Sequence, residues 1–127
     1  MRNEEKNLRG ALIANAVFSF ISGLLFMVLP QELAQLMGLA YPDWLVFIGV
    51  GLLGFAIIIL LLLFKPRLIP GQVKAITYLD WGWVIGSMLL ILIDPLYFTL
   101  KGLVIVAMLA MVVATLAIWQ GKALGRL

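Results

Sequence analysis

Four long apolar stretches, separated by short polar punctuation, organise this chain. They cover residues 10–29, 44–64, 75–93 and 102–119. Pro30 closes the first, Lys65-Pro66-Arg67 the second, Asp94-Pro95 the third and Gln120-Gly121-Lys122 the fourth. Each stretch is close to the roughly 20 residues a helix needs to cross a hydrocarbon layer about 30 Å thick. Backbone polar groups find no water there and must bond within their own segment, so the stretches predict helices. Strand-type alternation of apolar and polar residues is absent, which argues against a barrel. The expected fold is an all-α membrane protein, a single domain over residues 1–127 with four transmembrane helices in one bundle.

The segment after the first stretch has its own pattern. Pro30-Gln31-Glu32 reads as a helix start, with proline and an acid in the first turn. Leu33, Leu36 and Met37 follow helical spacing, and Gly38 can cap the end. This predicts a short amphipathic helix over residues 31–38, lying on the outer membrane surface. Tyr41-Pro42-Asp43 then turns the chain back into the bilayer.

Composition agrees with the pattern. Of the 127 residues, 65% are apolar and 12% charged, against about 45–50% and about 25% in soluble domains. A soluble enzyme, a disordered regulator and a nucleic-acid-binding domain are excluded. The chain has no Cys and no His. Disulfides, iron–sulfur clusters and thiolate zinc sites are therefore absent, as are the usual haem ligand and the commonest general acid–base. The expectation is a non-enzymatic protein with no metal and no cofactor.

The net charge of +3 reads as topology. Arg2, Lys6 and Arg9 precede the first stretch, Lys65, Arg67 and Lys74 lie between the second and third, and Lys122 and Arg126 follow the fourth. All of these share one side, and only Lys101 lies on the other. Cytoplasmic loops carry the positive excess. The chain is therefore expected to cross the cell inner (plasma) membrane several times, with both termini cytoplasmic. Tyr41, Trp44 and Tyr97 near the outer interface, with Tyr78 and Trp119 near the inner one, fit an aromatic belt. The first stretch is longer than the apolar run of a signal peptide and carries Asn15, Ser19 and Ser22, so a retained helix is expected.

A shift of 65 residues lays the first stretch on the third. Asn15 then falls on Asp80, Ser22 on Ser87 and Pro30 on Pro95. Such a repeat implies two tandem parallel hairpins related by an axis along the membrane normal. The second and fourth stretches do not align at the same shift.

The polar residues within the stretches form the candidate site. Asn15, Ser19 and Ser22 share one helix face, as do Thr77, Asp80, Val84 and Ser87, with Trp83 beside them. At a rise of about 1.5 Å per residue, Asn15 and Asp80 lie at nearly the same depth. The two stripes are expected to face each other, with Asp80 hydrogen-bonded to Asn15. Asp80 is the one carboxyl group well inside a stretch, where a charged Asp costs about 2.5–3.5 kcal/mol. Two roles are open for it: holding helices together, or coupling to a proton or substrate. Trp81 and Trp83 flank it, and an acid beside indoles can hold a lipophilic cation. Anchoring at the headgroup level suits Trp81; a core or pocket position suits Trp83.

Small residues mark packing faces: Gly82 and Gly86 in the third stretch, Gly49, Gly51 and Gly54 in the second, and Ala107, Ala110, Ala114 and Ala117 in the fourth. Such faces let helices approach closely in lipid. They serve contacts within the chain first, and one of them could serve a homodimer or a larger membrane complex. The bundle leaves no room for a wide aqueous pore.

The strings Ile13-Ala14-Asn15-Ala16 with Ser22-Gly23, and Leu79-Asp80-Trp81 with Trp83-Val84-Ile85-Gly86-Ser87, resemble a pattern in small bacterial four-helix integral membrane proteins of uncharacterised function. The resemblance runs over most of the chain and implies the fold but no activity. The small multidrug exporters carry a central Glu in their first helix where this chain has Asn15. The Gly-rich, Arg-bearing motifs of the dimeric fluoride channels are missing. Two functions follow as expectations: a membrane subunit or scaffold packing with lipid or a larger complex, or a small transporter or lipophilic-ligand binder using Asp80 and Asn15.

Overall fold

The computed structural model describes residues 3–38, 43–93 and 99–126. Five helices account for nearly all of them: α1 (Asn3–Val28), α2 (Pro30–Met37), α3 (Asp43–Leu63), α4 (Pro70–Ile93) and α5 (Leu100–Gly125). No strand occurs among the described residues. Helices α1, α3, α4 and α5 are each long and apolar enough to cross a membrane.

Three long helices outrun the expected apolar stretches. α1 begins at Asn3 rather than at residue 10, α4 at Pro70 rather than 75, and α5 continues to Gly125 rather than stopping at 119. Lys, Glu and Gln, which populate these extensions, are good helix formers, so helix continues where apolar character stops. Pro30 marks the break as expected: α1 stops at Val28 and a separate helix begins at Pro30. It occupies the first turn of α2, where its missing N–H costs nothing. Leu33 N–H donates to Leu29 O (3.1 Å) across the junction. Tyr41, Pro42 and the segment 94–98 lie outside the described residues, as do Asp94, Pro95 and Tyr97 with their expected turn and belt roles.

α1 is the central helix, packing along α3 on one side and α5 on the other, while α4 packs along α5. α1 and α3 cross closely. A Cβ on Gly23 would stand 2.9 Å from Gly49 O, and a Cβ on Gly49 would stand 2.8 Å from Gly23 O. Only glycine at both positions permits this crossing. Gly51, Gly54, Gly82 and Gly86 meet nothing within 4 Å, so the Gly82/Gly86 pair is not used among the described residues. Of the alanine stripe in α5, Ala110 and Ala117 are buried, and Ala107 and Ala114 are half-buried.

Two apolar clusters hold the helices. At the end rich in basic residues, Leu8 and Leu12 of α1 meet Ile59 and Leu62 of α3, Val73 and Ile76 of α4, and Ala123 of α5. At the opposite end, Phe26, Ala34, Met37 and Leu45 join α1, α2 and α3, with Leu103 and Val106 of α5 packed against them. α4 belongs to the first cluster and contributes nothing to the second. Much of its later half, including Ile85, Met88, Leu89 and Leu92, is exposed.

Side chains close the helix ends. The Arg9 guanidinium donates to the carbonyls of Leu63 (2.9 Å), Lys65 (2.8 Å) and Pro66 (3.1 Å). It thereby satisfies carbonyls that α3 leaves open at its C-terminus. Glu5, one turn earlier, pairs with it at 3.4 Å. At the other end, Thr99 caps α5 by accepting from Gly102 N–H (3.0 Å) and donates its hydroxyl proton to Leu36 O (2.8 Å). Its backbone N–H donates to Met37 O (3.0 Å). Thr99 thus fastens the end of α2 to the start of α5. Gly38 completes this junction in the left-handed region, at φ 79°.

Candidate functional site

A buried chain of polar side chains crosses the middle of the fold. Asn15 Nδ2 donates to Asp80 Oδ2 at 2.8 Å, the bond expected from their matched depth. Ser19 Oγ donates to Asn15 Oδ1 at 3.3 Å from one turn further along α1. Gln120 Nε2 donates to the same Asp80 Oδ2 at 3.1 Å. Thr77 gives its proton to Val73 O (3.0 Å) and lies 3.5 Å from Gln120 Oε1. Asn15, Asp80 and Gln120 are at most 3% exposed. One carboxyl oxygen therefore gathers donors from two helices and ties α1, α4 and α5 together. Asp80 Oδ1 takes no hydrogen bond from any described residue.

Gln120 was not among the residues singled out in the sequence, where it marks the polar end of the fourth stretch. Its signal is positional. Ala110, Val113, Ala117 and Gln120 follow one another at steps of three and four residues, and all four are buried. Gln120 extends the inward face of a helix that runs on past Trp119. Trp119 itself points outward, its indole N–H donating to Asn7 Oδ1 (3.0 Å).

The remaining candidate residues lie in a second feature. A half-enclosed cavity of about 270 Å³ has walls from all four long helices. Ser19 and Ser22 face it from α1, Gly51 and Phe55 from α3, Trp83 from α4 and Val113 from α5. It lies where α4 has left the core, between helices α3 and α4, which make at most marginal contact with each other. The expected single polar site is therefore two sites. Asn15, Asp80 and Thr77 belong to the hydrogen-bonded knot, Ser22 and Trp83 to the cavity, and Ser19 to both. Ser87 is half-buried and joins neither. Trp81 is also half-buried and does not line the cavity.

This separation bears on ligand chemistry. Asp80 does not line the cavity, so the acid and the Trp83 indole do not face one ligand together as a lipophilic-cation site would require. No group of three or more His, Cys, Asp or Glu that could hold a metal ion occurs among the described residues. Comparison with known proteins finds no matching family model, no matching curated protein and no matching solved structure.

Proposed function

We propose that this chain is a non-enzymatic, multi-pass protein of the cell inner (plasma) membrane, acting as a subunit or scaffold within a larger membrane assembly. In this reading the four long helices form one transmembrane bundle, α2 lies on the outer surface and both termini are cytoplasmic. The strings that resemble small bacterial four-helix membrane proteins are the ones that carry the Asn15–Asp80 knot. The observation that carries the reading is a face of α4. Gly82, Ile85, Gly86 and Leu89 fall on one side of the helix and are all exposed. Small residues flanked by aliphatic ones suit close helix–helix packing in lipid, and this face has no partner within the described residues.

Native mass spectrometry after gentle extraction from its own membrane tests the assignment. The expected result is an assembly larger than one chain, lost when Gly82 and Gly86 are both replaced by Leu while the thermal unfolding of the chain is kept. A single species at 14.0 kDa from the native sequence refutes it. Orientation is read separately. The chain has no Cys, so Lys101→Cys should label from outside the cell and Lys74→Cys only after permeabilisation.

A second reading, a small transporter or lipophilic-ligand binder working through Asp80 and Asn15, is favoured by the unbonded Asp80 Oδ1. It requires the carboxyl group itself, so loss of function in a well-folded Asp80→Asn variant would support it.

A further inference from the structure

The cavity between α3 and α4 is walled by apolar side chains yet presents hydrogen-bond donors that the chain leaves unused. Ser22 is 8% exposed, and its hydroxyl has no hydrogen-bond partner among the described residues. The two threonines within helices behave differently: Thr77 and Thr115 return their protons to the carbonyl one turn back, at 3.0 and 2.9 Å. The Trp83 indole N–H, which is only a donor, also meets no described acceptor. A polar group without a partner is costly where water is scarce. Both residues line the same space.

The walls define the rest of the ligand. No charged residue lines the cavity, so a charged ligand would be desolvated without compensation. Phe18, Phe26, Phe55 and Trp83 supply aromatic surfaces, which favour stacking or edge contact with a flat ring. A volume of about 270 Å³ exceeds the roughly 150 Å³ that accommodates benzene and falls just short of pockets for drug-sized ligands, which start near 300 Å³. It suits one ring system, with any tail leaving through the gap beside Gly51, which is exposed.

We propose that this cavity binds one uncharged lipophile whose conjugated ring bears a carbonyl oxygen, with Ser22 and Trp83 donating to that oxygen. The site is separate from the Asp80 knot and does not rest on the subunit reading, since a chain without partners would bind the same ligand. The test uses the full chain in nanodiscs, with 2-methyl-1,4-naphthoquinone as probe and quenching of tryptophan fluorescence as readout. Saturable quenching is expected. Ser22→Ala, a mild change, should weaken the probe about three- to tenfold, the worth of one neutral hydrogen bond. Gly51→Leu should abolish saturation, because the added side chain meets open space beside the cavity. Trp83→Phe should remove the saturable part of the signal. Quenching that never saturates, or saturates identically in Ser22→Ala, overturns the proposal. So does equal displacement by methyl palmitate, which would make the occupant an acyl chain. If Gly51→Leu fails to fold, Ser22→Ala decides alone. The assembly measurement is independent, so failure here leaves the subunit reading standing, and the reverse holds.

Discussion

Asn15 and Gln120, 105 positions apart in the chain, donate to the same oxygen of Asp80. The carboxyl group serves as the meeting point of α1, α4 and α5, and the two donors are energetically linked through it. Replacing Gln120 by Leu removes one of the two and should cost about 1 kcal/mol, in the range measured for hydrogen bonds between membrane helices. Asn15→Leu should cost a similar amount. The double variant should lose more than the sum, because only then is Asp80 Oδ2 left with no donor. Unfolding of all three variants in mild detergent checks this, and strict additivity would show that the donors act independently.

Because both bonds converge on Oδ2, an amide can imitate this carboxyl group. Asp80→Asn places its carbonyl oxygen where Oδ2 stands and its NH₂ at Oδ1, which takes no hydrogen bond from any described residue. Both donor bonds are kept and only the new NH₂ lacks an acceptor, so the expected stability loss is about 1 kcal/mol, the low end for one unsatisfied group. Asp80→Leu strands two buried amides and should cost about 1–3 kcal/mol. Thermal unfolding compares them. Asp80→Asn behaving as badly as Asp80→Leu would mean that the acid is needed as an acid, beyond its role in joining helices.

Gly23 and Gly86 are expected to respond in opposite ways. Gly23→Ala drives a methyl group to 2.9 Å from a backbone carbonyl of α3 and should destabilise the chain by about 1–3 kcal/mol. Gly86→Ala meets open space and should be neutral or stabilise by about 0.5–1 kcal/mol through helix propensity. Parallel melting curves settle the order.

Arg9→Lys keeps the charge and loses the fork. One ammonium group cannot reproduce the planar guanidinium reaching the carbonyls of Leu63, Lys65 and Pro66. A loss of about 1–3 kcal/mol is expected, with faster hydrogen exchange at the Phe64 and Lys65 amides. Unchanged exchange there would show that the end of α3 does not depend on Arg9.

The long helices were legible because 20-residue apolar runs have few alternative structures. Their ends were not, since charged and amide side chains such as Lys6, Gln72 and Gln120 extend a helix without extending its apolar stretch. The pairing of Asn15 with Asp80 could be read from equal depth on facing stripes. Gln120 escaped because the same arithmetic placed it at a polar boundary, whereas the helix and its inward face continue beyond. The close crossing was half visible. Gly49 stood in a cluster of glycines, but Gly23 stood alone, and no pattern within one helix shows which glycine a neighbour will touch. The cavity arises where α4 leaves the second apolar cluster, a relation between helices that no single stretch encodes.

The shared acceptor also sets an order of events during synthesis. α1 emerges before α4, so Asn15 is already in place when α4, whose spanning stretch is the least apolar of the four, brings in Asp80. The second donor exists only after α5 has been made almost to its end. A chain cut before Gln120 holds its acid by one of these bonds, and a chain that includes all of α5 holds it by two. The hold on the third long helix is thus shared between the first and the last of the four, and α4 gains its second tether only when the far end of α5 has docked.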